Sequence, residues 1–167
     1  MEIFNIRFVN NTIILICYGH NCPSVLYINK QIAEHVTLDS VTEGSDYSFT
    51  HIYIAKNDEW SELEKIDVFV DDVFIKNVQK SRVEKCNLVA MTLFKEDYKL
   101  IPAYVKYYKA MGVEKFFMYY NKPLGSDPLP ELDDVTYIEW NHKYWNELGH
   151  HCSQITAIND FLQWSKH

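Results

Sequence analysis

Residues 87–121 constrain this chain more than any other stretch. Residues 88–94, Leu-Val-Ala-Met-Thr-Leu-Phe, are a near-continuous apolar run, as expected of a strand covered on both faces. Lys95, Glu96 and Asp97 follow at once. A helical pattern then spans 98–112, with Leu100, Ile101, Tyr104, Val105, Tyr108 and Met111 on one stripe at three- and four-residue steps. Gly112 stands where a helix C-cap favours glycine. Residues 115–120 predict a second strand. Strand, helix and strand in this order require a parallel pair with a crossover, and such sheets hold ligands beyond the carboxyl ends of their strands. Lys95, Glu96 and Asp97 lie at such an end. They also open a helix, where the macrodipole favours acidic residues. Position alone therefore leaves ligand binding and simple capping both open.

The same grammar continues to the end of the sequence. Residues 121–134 read as a polar, proline-bearing loop, in which Asp133 and Asp134 are turn residues, and 135–140 as a third strand. Residues 153–166 predict a second helix, with Ile155, Ile158 and Leu162 on one face and Ser153 as its N-cap. Asp160 reads as a solvated or capping group on that helix. His142, His150 and His151 read as surface or hydrogen-bonded groups rather than metal ligands.

Residues 1–80 read differently. Phe4, Ile6 and Phe8 alternate with Asn5 and Arg7, the period of a half-buried strand. Further strands are predicted at 12–18, 24–28, 47–55, 66–70 and 73–75. Turns are expected at 10–11, 19–23 and 71–72, and a loop at 42–46. Asp71-Asp72 between two strands suggests a tight hairpin. The expected architecture is α/β: a small β-rich, sandwich-like domain over 1–80, a linker at 81–86, and a partial Rossmann-like β-α-β domain over 87–167.

Composition narrows the function classes. Apolar residues make up 47% and aromatics 15%, enough for a real core. The formal net charge of −7 argues against nucleic acid and against a polybasic membrane anchor. The longest apolar run, near residues 13–17, is far short of the roughly 20 residues of a membrane span. No signal-peptide pattern is visible at the start, so a cytoplasmic location is expected and the four cysteines are expected as thiols. Cys17, His20 and Cys22 suggest a metal site only weakly, because matched second ligands are far away in sequence.

The ordered pieces Phe94-Lys95-Glu96-Asp97, Leu100-Ile101-Pro102, Tyr108, Gly112-Val113, Tyr119-Tyr120-Asn121 and Ser126-Asp127 together resemble the opening of GT-A glycosyltransferases of the family 2 and family 92 kind. Residues 150–167 look like that family's helix preceding its metal-binding strand. The resemblance covers residues 86–167. It implies transfer of a sugar from a nucleotide-sugar donor to an acceptor hydroxyl on a carbohydrate or glycoconjugate. Thr92, Lys95, Glu96, Asp97, Asn121, Asp127 and Gln154 would line the donor site. It also implies a divalent metal, Mn²⁺ or Mg²⁺, to stabilise the departing diphosphate. The sequence departs from the pattern in three places. Tyr120 replaces the acidic residue before Asn121, Glu96 and Asp97 compete for one role, and no Asp-x-Asp occurs anywhere. The metal ligands are thus not expected in this chain, which could be an incomplete enzyme. The rival expectations are a non-catalytic module, with Trp140, Tyr144 and Trp145 supplying stacking surface, and a scaffold that kept only the fold. A half-sheet would also expose apolar surface, so self-association or a covering partner is expected.

Overall fold

A computed structural model describes residues 2–19, 22–39, 49–81, 85–144 and 152–165. The predicted loop at 42–46, the first two residues of the strand predicted at 47–55, and the residues His20, Trp145, His150 and His151 lie outside the described residues. Those described form a sheet-rich α/β protein with few helices. It divides into two compact units, 1–83 with 159–167, and 84–158. The division between residues 83 and 84 lies within the stretch 81–86 read as a linker, and the last residues of the chain, 159–167, group with the first unit.

The first unit contains β1 (Glu2–Val9), β2 (Thr12–Gly19), β3 (Tyr27–Ile28), β4 (Gln31–Ile32), β5 (Glu34–Asp39), β6 (Phe49–Lys56), β7 (Lys65–Val70) and β8 (Val73–Gln79). They form two four-stranded antiparallel sheets, ordered β1-β2-β6-β5 and β4-β3-β7-β8. Alternation explains how they close on one another. Ile6, Phe8, Ile13, Leu15, Cys17 and Tyr53 from the first sheet share one buried cluster with Ile28, Ile66, Val68, Val70 and Val78 from the second. In β7 the pattern is strictly exposed–buried over Lys65–Val70, so a one-residue slip would turn its apolar face to water. The strand predicted at 24–28 is pairing-competent only at Tyr27–Ile28.

On the outer face of β1, Arg7 and Asn5 hold the carboxylate of Asp160, which is fully buried. The expectation that Asp160 is solvated or capping is therefore corrected. Arg7 Nη2 donates to its Oδ2 at 2.7 Å, and Asn5 Nδ2 to its Oδ1 at 3.1 Å. A carboxylate with no water is held in place by such charge-assisted bonds.

The second unit contains β9 (Val89–Phe94), α1 (Ile101–Lys109), β10 (Lys115–Tyr120) and β11 (Val135–Glu139), with α2 (Cys152–Trp164) beginning in it. Its strands make one parallel sheet in the order β11-β10-β9. Phe116 and Met118 on β10 pack with Ile101 and Val105 of α1, and Ala90, Phe94, Val135 and Tyr137 flank them. The other face of β10 carries Tyr119, whose ring meets buried Trp140 edge-on at 5.2 Å.

Three local expectations change. α1 is shorter than the predicted 98–112, because residues 98–100 form a 3-10 turn and the chain leaves the helix after Lys109. Gly112 does adopt φ +95° just beyond that end, where its lack of a Cβ is needed. Of the predicted stripe, Ile101 and Val105 are buried, while Leu100 and Met111 face solvent. β9 is not covered on both faces: every residue in it is half-buried, and among the described residues it is an edge strand, with β10 on one side only. Ser153 lies within α2 rather than capping it.

Candidate ligand-binding site

Parallel pairing places the carboxyl ends of β9 and β10 side by side. Phe94 stands opposite Tyr120, and the Asn121 N–H donates to the Phe94 carbonyl at 2.8 Å. The rings of Phe94 and Tyr120 stack with centroids 5.0 Å apart. The seven predicted site residues distribute around this pair in three ways.

Thr92 and Asp97 meet on the α1 side. With Leu93, Phe94, Leu100, Ile101, Tyr104 and Met118 they line a half-open pocket of about 210 Å³. Its walls are mainly aliphatic and aromatic, with two hydroxyl-bearing residues, Thr92 and Tyr104, and one carboxylate, Asp97, among them. Asp97 occupies the N-cap position of the following 3-10 turn, yet its side chain makes no capping bond there. That leaves its carboxylate at the pocket uncommitted to the turn, so the capping alternative does not account for it. Tyr104 has its hydroxyl pKa raised by burial, with the neighbouring Tyr108 adding to the effect.

Glu96 and Asp127 meet on a different group, the Lys122 ammonium, at 4.0 Å and 3.0 Å. Asp127 also accepts a hydrogen bond from the Tyr120 hydroxyl. Burial, and then that bond, push the Tyr120 pKa up to about 12. The same bond, helped by Lys122, holds the Asp127 carboxyl below its usual range. Tyr120, where the resembled pattern has an acid, thus uses a neutral hydroxyl to hold a carboxylate brought from the loop.

Asn121 is buried, and its amide faces inward. Nδ2 lies 2.7 Å from the Trp140 carbonyl, 2.9 Å from that of His142 and 3.3 Å from Ser153 Oγ. The Trp140 indole N–H donates to the Ser153 carbonyl at 3.0 Å. Asn121 and Trp140 therefore join the segment after β11 to the start of α2. A fully buried Trp140 offers no stacking surface, which corrects that expectation. Gln154 accepts from the Tyr144 hydroxyl at 2.8 Å. Lys95 is exposed beyond the end of β9.

Among the described residues no three or more His, Cys, Asp or Glu side chains gather in one place. At the strand ends Glu96 and Asp127 share the Lys122 cation, which would repel a second one. Sequence reasoning missed Lys122, Tyr104 and the inward role of Asn121. Lys122 follows Asn121 immediately, and its place at a strand end is the signal that could have found it.

No family model, no curated protein and no solved structure matches this chain.

Proposed function

We propose that the second unit binds the nucleoside portion of a nucleotide sugar and belongs to a glycosyltransferase-like protein that delivers the sugar to an acceptor hydroxyl. The observation that carries this is the pocket beside two in-register parallel strand ends, lined by Thr92, Asp97 and Tyr104. A flat heteroaromatic ring suits its apolar walls, and Thr92 and Asp97 supply one donor-acceptor hydroxyl and one acceptor for ring or ribose polar groups. Lys122 stands at the same strand ends, held between Glu96 and Asp127. No chemical step is assigned to a metal here, because Glu96 and Asp127 are already paired with Lys122.

A second reading is a module that binds such a ligand without transferring it, or that only retains the fold. The specific support is the commitment of polar groups to internal bonds: Asn121 to Trp140 and His142, and Asp127 to Tyr120 and Lys122. Titration of the chain with uridine and guanosine diphosphate sugars, followed by thermal melting and by donor hydrolysis with and without Mn²⁺, separates the two. Turnover that Asp97→Ala abolishes supports the enzyme, and a melting shift without turnover supports the module. A ligand at about 100 times its dissociation constant adds roughly 2.7 kcal/mol, so an unchanged melting temperature at saturating concentrations defeats both ligand-binding readings and leaves the protein that only retains the fold.

A further inference from the structure

We propose that the first unit carries a carbohydrate-binding site on the outward face of its β4-β3-β7-β8 sheet, with Tyr27 as the stacking platform and Lys30, Asp71 and Asp72 as the hydroxyl-binding groups. This inference concerns the first unit alone and does not rest on the nucleotide-sugar reading of the second.

The short β3–β7 pairing has a two-residue turn at each end, Asn29-Lys30 after β3 and Asp71-Asp72 after β7. All four turn residues have positive φ, at 47°, 64°, 46° and 64°. That is the geometry of the tight hairpin turn whose twist matches the strands. The Asn29 N–H donates to the Phe69 carbonyl at 3.0 Å and the Asp71 N–H to the Tyr27 carbonyl at 2.9 Å. Asp71 Oδ1 also accepts from the Tyr27 N–H at 3.1 Å. Each turn is thus bonded to the opposite strand before any ligand arrives. Tyr27, Lys30, Asp71 and Asp72 line a depression of about 420 Å³, within the roughly 300–1,000 Å³ usual for small-molecule sites.

The chemistry of the lining selects the ligand. Ile28 and Val70 turn into the core, so Tyr27 turns out and is 46% exposed. On the same face Phe69 and Phe74 meet edge-on at 5.5 Å, both exposed. A pyranose has an apolar C–H face that lies on such rings and a polar periphery that needs donors and acceptors together. Lys30 donates and Asp72 accepts, and neither makes an ion pair among the described residues. An apolar docking face for another protein is depleted of charge at its centre, whereas three of the four residues lining this depression are charged. The turns themselves do not need those side chains. Glycine at the second turn position would serve both better, so Lys30 and Asp72 are dispensable to the fold and available to a ligand.

The test uses the full chain, with maltohexaose, cellohexaose, xylohexaose and chitohexaose as probes, followed by saturation-transfer NMR and calorimetric titration. At least one probe binds at about millimolar concentration or tighter. Tyr27→Ala weakens that binding about tenfold or more, while Tyr27→Phe keeps it. Asp72→Gly and Lys30→Gly create Asp-Gly and Asn-Gly turns, so they hold or raise the melting temperature and still weaken binding. The proposal is overturned if none of the four probes binds, or if binding survives Tyr27→Ala. It is also overturned if no probe binds and light scattering shows self-association that Tyr27→Ala abolishes, because the face then serves a second copy of the chain. None of these outcomes touches the nucleotide titration of the second unit.

Discussion

β2 and β9 are nearly the same sentence in sequence and different objects in space. Both are short apolar runs with a single threonine, Thr12-Ile-Ile-Leu-Ile-Cys and Val89-Ala-Met-Thr-Leu-Phe. In β2, residues Ile13–Cys17 are all fully buried, because β1 and β6 flank it on both edges. In β9 every residue is half-buried, because β10 flanks one edge and no described strand flanks the other. Apolarity reports that a segment forms a strand. It does not report how many neighbours that strand has, since neighbours are supplied by distant sequence. The strand with one neighbour is also the strand that lines a pocket. Its side chains Thr92, Leu93 and Phe94 are available to a ligand because nothing else fully covers them.

The contrast extends to charge. Asp160 is wholly buried against Arg7 in the first unit, whereas Asp134 in the second bonds the exposed Lys109 at the surface. Asp160→Ala removes the carboxylate that Arg7 Nη2 bonds at 2.7 Å and costs about 3–5 kcal/mol. Asp134→Ala changes stability much less, since exposed pairs are screened by water. Urea denaturation of the two variants measures this, and equal losses would break the distinction between the two units. The double substitution Arg7→Met with Asp160→Leu recovers much of the loss if burial of an unpaired charge is its cause.

Substitution in the two strands is the direct comparison. Leu15→Ala in β2 costs about 2–5 kcal/mol, as for other leucines removed from a packed core. Leu93→Ala in β9 costs roughly half as much, because its side chain is only half removed from water. A larger loss at Leu93 would mean that β9 is covered in solution, by a second copy or another partner. The self-association expected of a half-sheet would then be the explanation, and light scattering would show it. Parallel edges with free N–H and C=O groups are templates for such pairing.

Much of the fold was legible because the two units use different periods. Alternation gave β7 and its hairpin with β8, and the apolar run, helical stripe and second run gave β9, α1 and β10. What was not legible depended on long-range partners. Asp160 has no local signal for burial, because Arg7 and Asn5, which hold it, are more than 150 residues away. Trp140 looks like an exposed platform in sequence until Ser153 and Tyr119 enclose it. At the candidate site, position in the sequence grouped seven residues into one donor site, whereas in the structure Thr92 and Asp97 line one pocket and Glu96 and Asp127 meet at Lys122. It could not say which way Asn121 points, since that depends on carbonyls from the segment after β11. Asn121→Ala removes the amide that donates to the Trp140 and His142 carbonyls and costs about 1–3 kcal/mol. If Asn121 instead served mainly as a ligand contact, stability would hold and only ligand affinity would fall.

The smallest expected effect is in proton binding, and it distinguishes the units by cause. In the first unit, burial lowers the His51 pKa below 6.5, and the His35 ring lies against it, Nε2 to Nδ1 at 2.9 Å. His51 Nε2 faces the Gly19 carbonyl at 3.1 Å, so that nitrogen carries the proton and Nδ1 accepts from His35. A depressed histidine favours the folded state above its unfolded pKa, and that contribution is lost as pH falls from 6.5 through the folded value. In the second unit, Tyr120 is raised from 10.0 to about 12, with its bond to Asp127 contributing after burial. A raised tyrosine contributes stability that is complete below pH 10.0 and lost as pH rises toward 12. His51→Phe therefore flattens the acid limb of the stability profile and leaves the alkaline limb in place. Asp127→Asn acts on the alkaline limb, because it removes the carboxylate that opposes ionisation of Tyr120, and tyrosinate absorbance develops at lower pH. It also removes the contribution of its own depressed carboxyl, which is complete above pH 3.8 and is lost only below it. If Asp127→Asn left the tyrosinate titration unmoved, the Tyr120–Asp127 bond would not be formed in solution. The paired loop and strand end on which the second unit's site is built would then lose their link.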